Sequence, residues 1–361
     1  MSRASIRSGP TVVVDEARAR ANIARMANKA RAAGVSLRPH VKTHRSPTIA
    51  GWLRDEGVGA ITVSSVDMAV AFAAHGWSDI TVAVPLNPHE LPRCEMLTAD
   101  GVKLGLLADC PSTAAMIVGA GFADLWLKID CGYGRAGVRW NDAEGLAALV
   151  APVAALSPKR AFGILTHAGQ SYGAKGSVEV LRVHRESLER MAEARVAVAA
   201  LAEREPLVSV GDTPTCSIAD AFPGVDEIRP GNFVFYDLMQ IDIGSCTEQD
   251  IALHVDCPVV GVRADLGHLV LHAGPVHLSK EALVDEQGAT FYGMAVNEEG
   301  RLDPEQRIIS LSQEHGLLKA PPSVLAAAQP GDIVRIAPVH ACLVGDGLLG
   351  DQGNSGVTGN S

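Results

Sequence analysis

Lys103-Leu-Gly-Leu-Leu-Ala-Asp-Cys-Pro-Ser-Thr-Ala-Ala-Met-Ile-Val-Gly-Ala-Gly-Phe-Ala-Asp-Leu-Trp-Leu-Lys-Ile129 holds two short apolar runs, Lys103–Leu107 and Leu125–Ile129, with a helical stretch between them. Runs that are apolar on both sides of the pleat read as strands buried on both faces, and strand–helix–strand units of this kind build parallel sheets. Outward from this unit, comparable runs fall at Val35–Pro39, Gly59–Val63, Ile80–Val84, Phe162–Thr166 and Leu207–Val210, and Thr11-Val-Val-Val14 opens the series. Helical patterns separate them. Asp15 caps a helix whose apolar face is Ala19, Ile23, Met26, Ala27, Ala30 and Ala33 and which stops at Gly34; a longer one covers Val178–Arg204. About eight units in roughly 230 residues suit a closed (β/α)8 barrel better than a doubly wound sheet.

After Ile243 the pattern changes. Ile251–Arg263, His268–Ala273, Thr290–Val296 and Asp332–Val344 read as strands joined by turns, with little helix. The expected organisation is an α/β chain: a TIM-type barrel over 1–245, whose first residues are able to join the second domain, a C-terminal β-rich domain over 246–345, and a loose Gly-rich tail over 346–361.

Composition excludes several classes. A net charge of −10 argues against a nucleic-acid or anionic-membrane surface, which would need a basic patch. No apolar run approaches the ~20 residues of a membrane span. The opening MSRASIRSGP has arginines but no apolar stretch behind them, so it does not read as a secretory signal. Seven cysteines without a CxxC pair read as free thiols, and the expected location is cytoplasmic.

Six segments carry chemistry. Arg38-Pro-His-Val-Lys-Thr-His-Arg45 follows a strand, where a barrel places its catalytic groups. Two histidines and two arginines around Lys42 would lower its pKa, and a partly neutral lysine can form an imine with an aldehyde; the plain alternative is a solvated basic loop. Lys128-Ile-Asp-Cys-Gly-Tyr-Gly-Arg-Ala-Gly-Val138 and Thr166-His-Ala-Gly-Gln-Ser-Tyr172 also sit at strand ends and offer Arg135, His167 and Tyr172. Val210-Gly-Asp-Thr-Pro-Thr215 and Arg229-Pro-Gly-Asn-Phe-Val-Phe-Tyr236 have the small residues that let backbone N–H groups approach an anion. In Pro338-Val-His-Ala-Cys342 the histidine and cysteine are two apart, so a strand would point both to one side, and both are good zinc donors. Two protein ligands leave open positions, which suits a catalytic ion; a buried cysteine beside a hydrogen-bonded histidine is the plain alternative.

Together these segments resemble the D-serine dehydratase and D-threonine aldolase family, pyridoxal-phosphate enzymes of the alanine-racemase-like fold. The likeness runs from Pro10 to Cys342, through the family's RPHxKTH, K-x-D-x-G-x-x-R-x-G-V, THAGxSY, GxTPT and RPGNYVFYD patterns. Phe233 stands where the family often has tyrosine. The resemblance implies that Lys42 carries the cofactor and removes the α-proton, and that Arg135 approaches the cofactor's phenolic oxygen. It also implies that His167 and Tyr172 line the pocket and that Gly211, Thr213, Gly231 and Asn232 hold the phosphate. His340 and Cys342 would hold Zn2+, or another divalent metal, and act on the β-hydroxyl. Histidine with cysteine is similar to the dehydratase branch, whereas the aldolase branch usually pairs histidine with aspartate. Ser312-Gln-Glu-His-Gly316 matches a further family segment, through Glu314 and His315.

The expected activity is therefore a pyridoxal 5'-phosphate- and zinc-dependent dehydratase of a small D-β-hydroxy amino acid, such as D-serine or D-threo-3-hydroxyaspartate, giving a 2-oxo acid and ammonia. A metal-activated D-threonine aldolase, giving glycine and an aldehyde, is the alternative. An amino-acid racemase and a non-catalytic cofactor carrier come after these. The resemblance also implies a homodimer, with no nucleic-acid or membrane partner.

Overall fold

The computed structural model describes residues 9–297 and 299–344, so the tail expected over 346–361 lies outside the described residues. The chain forms two compact units. One comprises Ile23–Lys42 and Pro47–Gly231; the other comprises the described residues of Met1–Asn22, Thr43–Ser46 and Asn232–Ser361.

In chain order the first strands are β1 (Thr11–Val14), β2 (Ser36–Leu37), β3 (Ile61–Val63), β4 (Asp79–Pro85), β5 (Lys103–Ala108), β6 (Asp124–Asp130), β7 (Val138–Arg139), β8 (Phe162–Leu165), β9 (Leu207–Val210) and β10 (Glu227–Ile228). Eight of them form one parallel series, β2-β10-β9-β8-β6-β5-β4-β3. A parallel bridge between His40 and Thr62 joins its two ends. Thr62 N donates to Pro39 O at 2.9 Å and Thr62 Oγ1 donates to Arg38 O at 2.9 Å, so the seam is hydrogen-bonded and the barrel expected from the pattern is closed.

Burial follows the both-face pattern. All seven residues of β6 are buried, including Asp124, Lys128 and Asp130. Trp126 is accommodated because its neighbours give way: a Cβ on Gly163 would stand 2.4 Å from the indole, and one on Gly105 2.8 Å from it. One large side chain and two glycines on adjacent strands thus fill a layer that three ordinary side chains would overpack. Around the barrel the helices bury their apolar faces. In the helix Glu16–Ala33, Ala19, Ile23, Met26, Ala27 and Ala30 are buried and Gly34 takes φ 69° just past the end. The long helix is Ser177–Ala202.

β1, which opened the apolar series, pairs antiparallel with Leu253–Asp256 and belongs to the other unit, the place left open for the first residues. One detail differs from the expected pattern. The eighth barrel strand is β10, a two-residue segment that had no apolar run to announce it. Glu227 is buried there because Arg38 and Ser209 bind its carboxylate.

The second unit contains β11 (Leu253–Arg263), β12 (His268–His272), β13 (Leu283–Val284), β14 (Thr290–Phe291), β15 (Gly293–Val296), β16 (Leu302–Ser312), β17 (His315–Lys319) and β18 (Ile333–Pro338). Its antiparallel sheet runs β1-β11-β12-β17-β16-β15-β18, and β18 pairs back onto β11. Strands β16 and β17 escaped the sequence reading because most of their residues are not fully buried and carry charge, proline or glycine. Leu238, Ile251, Phe291, Ala337 and Val339 form a core cluster in this unit. All seven cysteines are free thiols. Among the described residues no helix is long and apolar enough to cross a membrane.

Candidate active site

The barrel gathers five of the singled-out segments at the C-terminal ends of parallel strands, the rim on which such barrels build sites. Lys42 sits on a 3-10 turn, Val41–Thr43, just beyond β2, and its backbone N donates to His40 Nδ1 at 3.4 Å. His167 follows β8, Gly211 follows β9, and Arg229 to Gly231 follow β10. After β6, Asp130 Oδ1 accepts from Gly132 N at 2.9 Å and Gly134 N at 3.0 Å, a local turn that carries the chain to Arg135. The Arg135 guanidinium stands 5.2 Å from the centre of the Tyr133 ring, which meets His167 edge-on at 5.7 Å.

The histidines here are neutral. Burial pushes His167 down to about 3, against the hydrogen bond from its Nδ1 to Gly211 O at 2.7 Å, with Lys128, Arg135 and Lys42 lowering it further. That bond puts the proton on Nδ1 and leaves Nε2 as an acceptor. Burial also holds His40 well below its ordinary value, followed by the charges of Lys42, Arg229 and Arg135. The same cations surround Lys128, which burial and then Arg229 and Arg135 lower to about 7. Burial brings Arg229 down to about 10; its side chain donates to Ser209 Oγ at 2.5 Å and to the carbonyl of Thr166.

The electrostatics differ from the expectation in one respect. Arg38 does not act on Lys42 as a bare positive charge, because its guanidinium binds Glu227 at 2.7 Å and Asp79 at 2.5 Å. His44 is neutral as well, pushed down to about 3 by burial. The cations that lower His40 and His167 are Lys42, Arg135, Arg229 and Lys128. Lys128 and Arg229 were quoted in motifs without a role, and His40 was read only as one of the histidines around Lys42. The signal that could have found Lys128 and Arg229 is a cation inside or directly after a fully buried strand.

The small-residue turns form a cradle of backbone donors. Tyr172 Oη accepts from Thr213 N at 3.3 Å, and Thr213 Oγ1 accepts from Gly231 N at 3.4 Å. Thr213 and Gly231 are buried. At Gly211 a Cβ would stand 2.8–2.9 Å from the backbone of Arg229, so only glycine lets these two turns approach. Cationic groups around close-packed N–H donors fit an anionic cofactor headgroup.

The second unit holds the remaining candidates. β18 ends at Pro338, and residues 341–344 are helical, so His340 precedes and Cys342 lies within a helical segment, and strand alternation is not what aligns them. They are brought together nevertheless. Burial opposes a charge on His340, yet Cys342 and Asp237 beside it raise its pKa to about 11. Thr43, the residue after Lys42, has its Oγ1 3.3 Å from Cys342 Sγ. Sulfur and imidazole donors in contact, with carboxylate charge behind them, fit a zinc-like cation. Asn232, expected at a phosphate, donates from Nδ2 to Asp237 at 2.6 Å. Glu314 faces His272 at 3.5 Å and His277 at 3.8 Å, while His315 lies on the exposed start of β17.

Comparison with known proteins fits this geometry. Residues 14–238 match the alanine racemase N-terminal domain, and residues 252–348 match the putative serine dehydratase domain. The D-threo-3-hydroxyaspartate dehydratase of Delftia sp. (strain HT23) is 36% identical over 93% of this chain and 91% of its own. The D-serine dehydratase of Dictyostelium discoideum is 28% identical over 92% and 90%, and the D-threonine aldolase of an Arthrobacter species is 27% identical over 92% and 85%. A solved structure of the Delftia enzyme superposes with a TM-score of 0.87 at 34% identity, covering 94% of this chain and 92% of its own. A cysteine-to-alanine variant of that enzyme has been solved in a metal-free form.

Proposed function

The chain belongs to the family of alanine-racemase-fold, pyridoxal-phosphate-dependent lyases that contains the D-serine dehydratases, and from that premise we propose that it dehydrates a small D-β-hydroxy amino acid to a 2-oxo acid and ammonia. The observation that carries the reading is the pairing of His340 with Cys342 just after β18, the Cys342 thiol standing against Thr43. D-threo-3-hydroxyaspartate is the first substrate to test, followed by D-serine, because the relatives that act on these compounds span nearly the whole chain.

When bound, pyridoxal phosphate supplies an electron sink at the α-carbon and zinc a Lewis acid at the β-oxygen. The chain's own residues do the rest. Lys42 would hold the cofactor through its amine and serve as the base at the α-carbon. Backbone N–H groups around Gly211, Thr213 and Gly231 receive the phosphate, with Tyr172 against the Thr213 amide. Arg135 is assigned to the cofactor's phenolic oxygen, and the neutral His167 lines the pocket with Nε2 open as an acceptor. His340 and Cys342 would hold the metal, which would polarise the substrate's β-hydroxyl. A homodimer is part of the same proposal, on family resemblance.

The test is a product assay. Purified protein given D-threo-3-hydroxyaspartate, D-serine and D-threonine should release ammonia and 2-oxo acid, with activity lost on chelation and regained with zinc. Glycine and an aldehyde without ammonia would reject the dehydratase in favour of the aldolase. Cysteine rather than aspartate beside His340 is the reason the dehydratase ranks first.

A further inference from the structure

We propose that Asp237 is the positioning residue of the metal site: it turns His340 so that Nε2 faces the ion, and it fixes the peptide that joins the two ligands. The inference rests on the assignment of a metal to His340 and Cys342.

Asp237 has no exposed side-chain surface. Its Oδ2 accepts from Asn232 Nδ2 at 2.6 Å and from Ala341 N at 2.9 Å, and it faces His340 Nδ1 at 3.1 Å. Its Oδ1 accepts from Gln240 N at 2.9 Å, capping the helix Leu238–Ile243. Asn232 Nδ2, Ala341 N and Gln240 N all donate, and His340 Nδ1 stands at 3.1 Å as a close contact rather than a hydrogen bond. Only a carboxylate can accept at both oxygens; an asparagine would set its NH2 either against Gln240 N–H or against Asn232 and Ala341 on the other side. A buried carboxylate so placed is costly unless its oxygens are hydrogen-bonded, and Asn232, Ala341 and Gln240 supply those bonds.

Three consequences follow for the metal. With Nδ1 facing a carboxylate, that nitrogen holds the proton, and the lone pair of Nε2 is left for the ion. Ala341 lies between His340 and Cys342, so the same oxygen that orients the ring also pins the backbone between both ligands. A carboxylate behind the imidazole makes the ring a stronger donor. His277 shows the contrast. Gly274 N donates to its Nδ1 at 3.2 Å, which puts the proton on Nε2, the nitrogen that faces Glu314. In that ring the proton sits on the opposite nitrogen from the one assigned in His340.

The experiment measures zinc affinity by chelator competition in the cofactor-loaded wild type, Cys342→Ala and Asp237→Asn. Wild type should bind a zinc that Cys342→Ala loses; Asp237→Asn should bind it 10- to 100-fold more weakly, with the cofactor's visible absorbance kept. Unchanged affinity in Asp237→Asn overturns the inference while the metal assignment stands. Zinc retained at wild-type affinity in Cys342→Ala overturns the metal assignment and the inference with it. Should Asp237→Asn fail to fold, the zinc-loaded wild type decides by the 15N resonances of His340. A protonated Nδ1 with metal on Nε2 supports the proposal, and metal on Nδ1 refutes it.

Discussion

Arg38 Nε lies 2.7 Å from Glu227 Oε2, and this buried pair ties β2 to its neighbour β10. The contact extends in both directions. Arg38 also binds Asp79, and Ser209 Oγ donates to Glu227 Oε1 at 2.6 Å while accepting from Arg229 Nε at 2.5 Å. An arginine that looked like part of a basic loop is thus a barrel component, and it links the seam of the barrel to the cation beside the cofactor cradle.

Removing Glu227 leaves Arg38 with Asp79 alone and takes an acceptor from Ser209. Glu227→Ala is expected to lower stability by about 1–3 kcal/mol, the cost of leaving buried hydrogen-bonding groups short of an acceptor. Urea unfolding measures it. No measurable loss would mean that Asp79 alone satisfies Arg38, and the network would not matter as argued.

Two lysines compete for the aldehyde. Lys128 is buried and lowered to about 7, so on chemistry alone it could form the imine as well as Lys42. The motif assigns Lys42. Lys42→Ala should abolish the visible absorbance of bound pyridoxal phosphate and Lys128→Ala should keep it; the reverse pattern would move the attachment point to β6.

Gly211 tests the cradle. Its α-hydrogen faces the Arg229 backbone where a methyl would be 2.8–2.9 Å away. Gly211→Ala should cost about 1–3 kcal/mol of stability and weaken cofactor affinity, as overpacking does. Equilibrium titration with pyridoxal phosphate gives the second quantity, and an unchanged affinity would place the phosphate elsewhere.

Buried neutral histidines make the fold acid-sensitive. Burial sets His44 and His167 to about 3 and His254 to about 4. Their folded values lie below the unfolded one, so below about pH 6.5 the unfolded chain binds protons that the native chain refuses, and stability rises with pH across that window. Between pH 6.5 and 5 each ring is expected to remove on the order of 1–2 kcal/mol. Thermal melts at pH 7, 6 and 5 should show the decline, and a flat profile would show that these rings titrate normally.

Much of this protein was legible in its sequence, and the reason is local. Strands buried on both faces must be continuously apolar, so Lys103–Leu107 and Leu125–Ile129 declared themselves without reference to their neighbours. Segments such as Arg38–Arg45 and Thr166–Tyr172 were identifiable because their residues are contiguous and follow such strands.

What depended on distant partners was not legible. β10 is a strand because Arg38, almost two hundred positions earlier, neutralises Glu227; β1 left the barrel because its register partner is Leu253–Asp256. Only the folded chain showed that the start of a helical segment after Pro338, and not strand alternation, aligns His340 with Cys342, and that Asp237 stands behind them. Lys42 was marked by its motif, but its nearness to Arg135 and Lys128 shows only in the charges that these groups together put on His40 and His167. Periodicity records how a segment meets solvent and core; which buried charge meets which is decided by contacts that only the closed barrel and the second unit create.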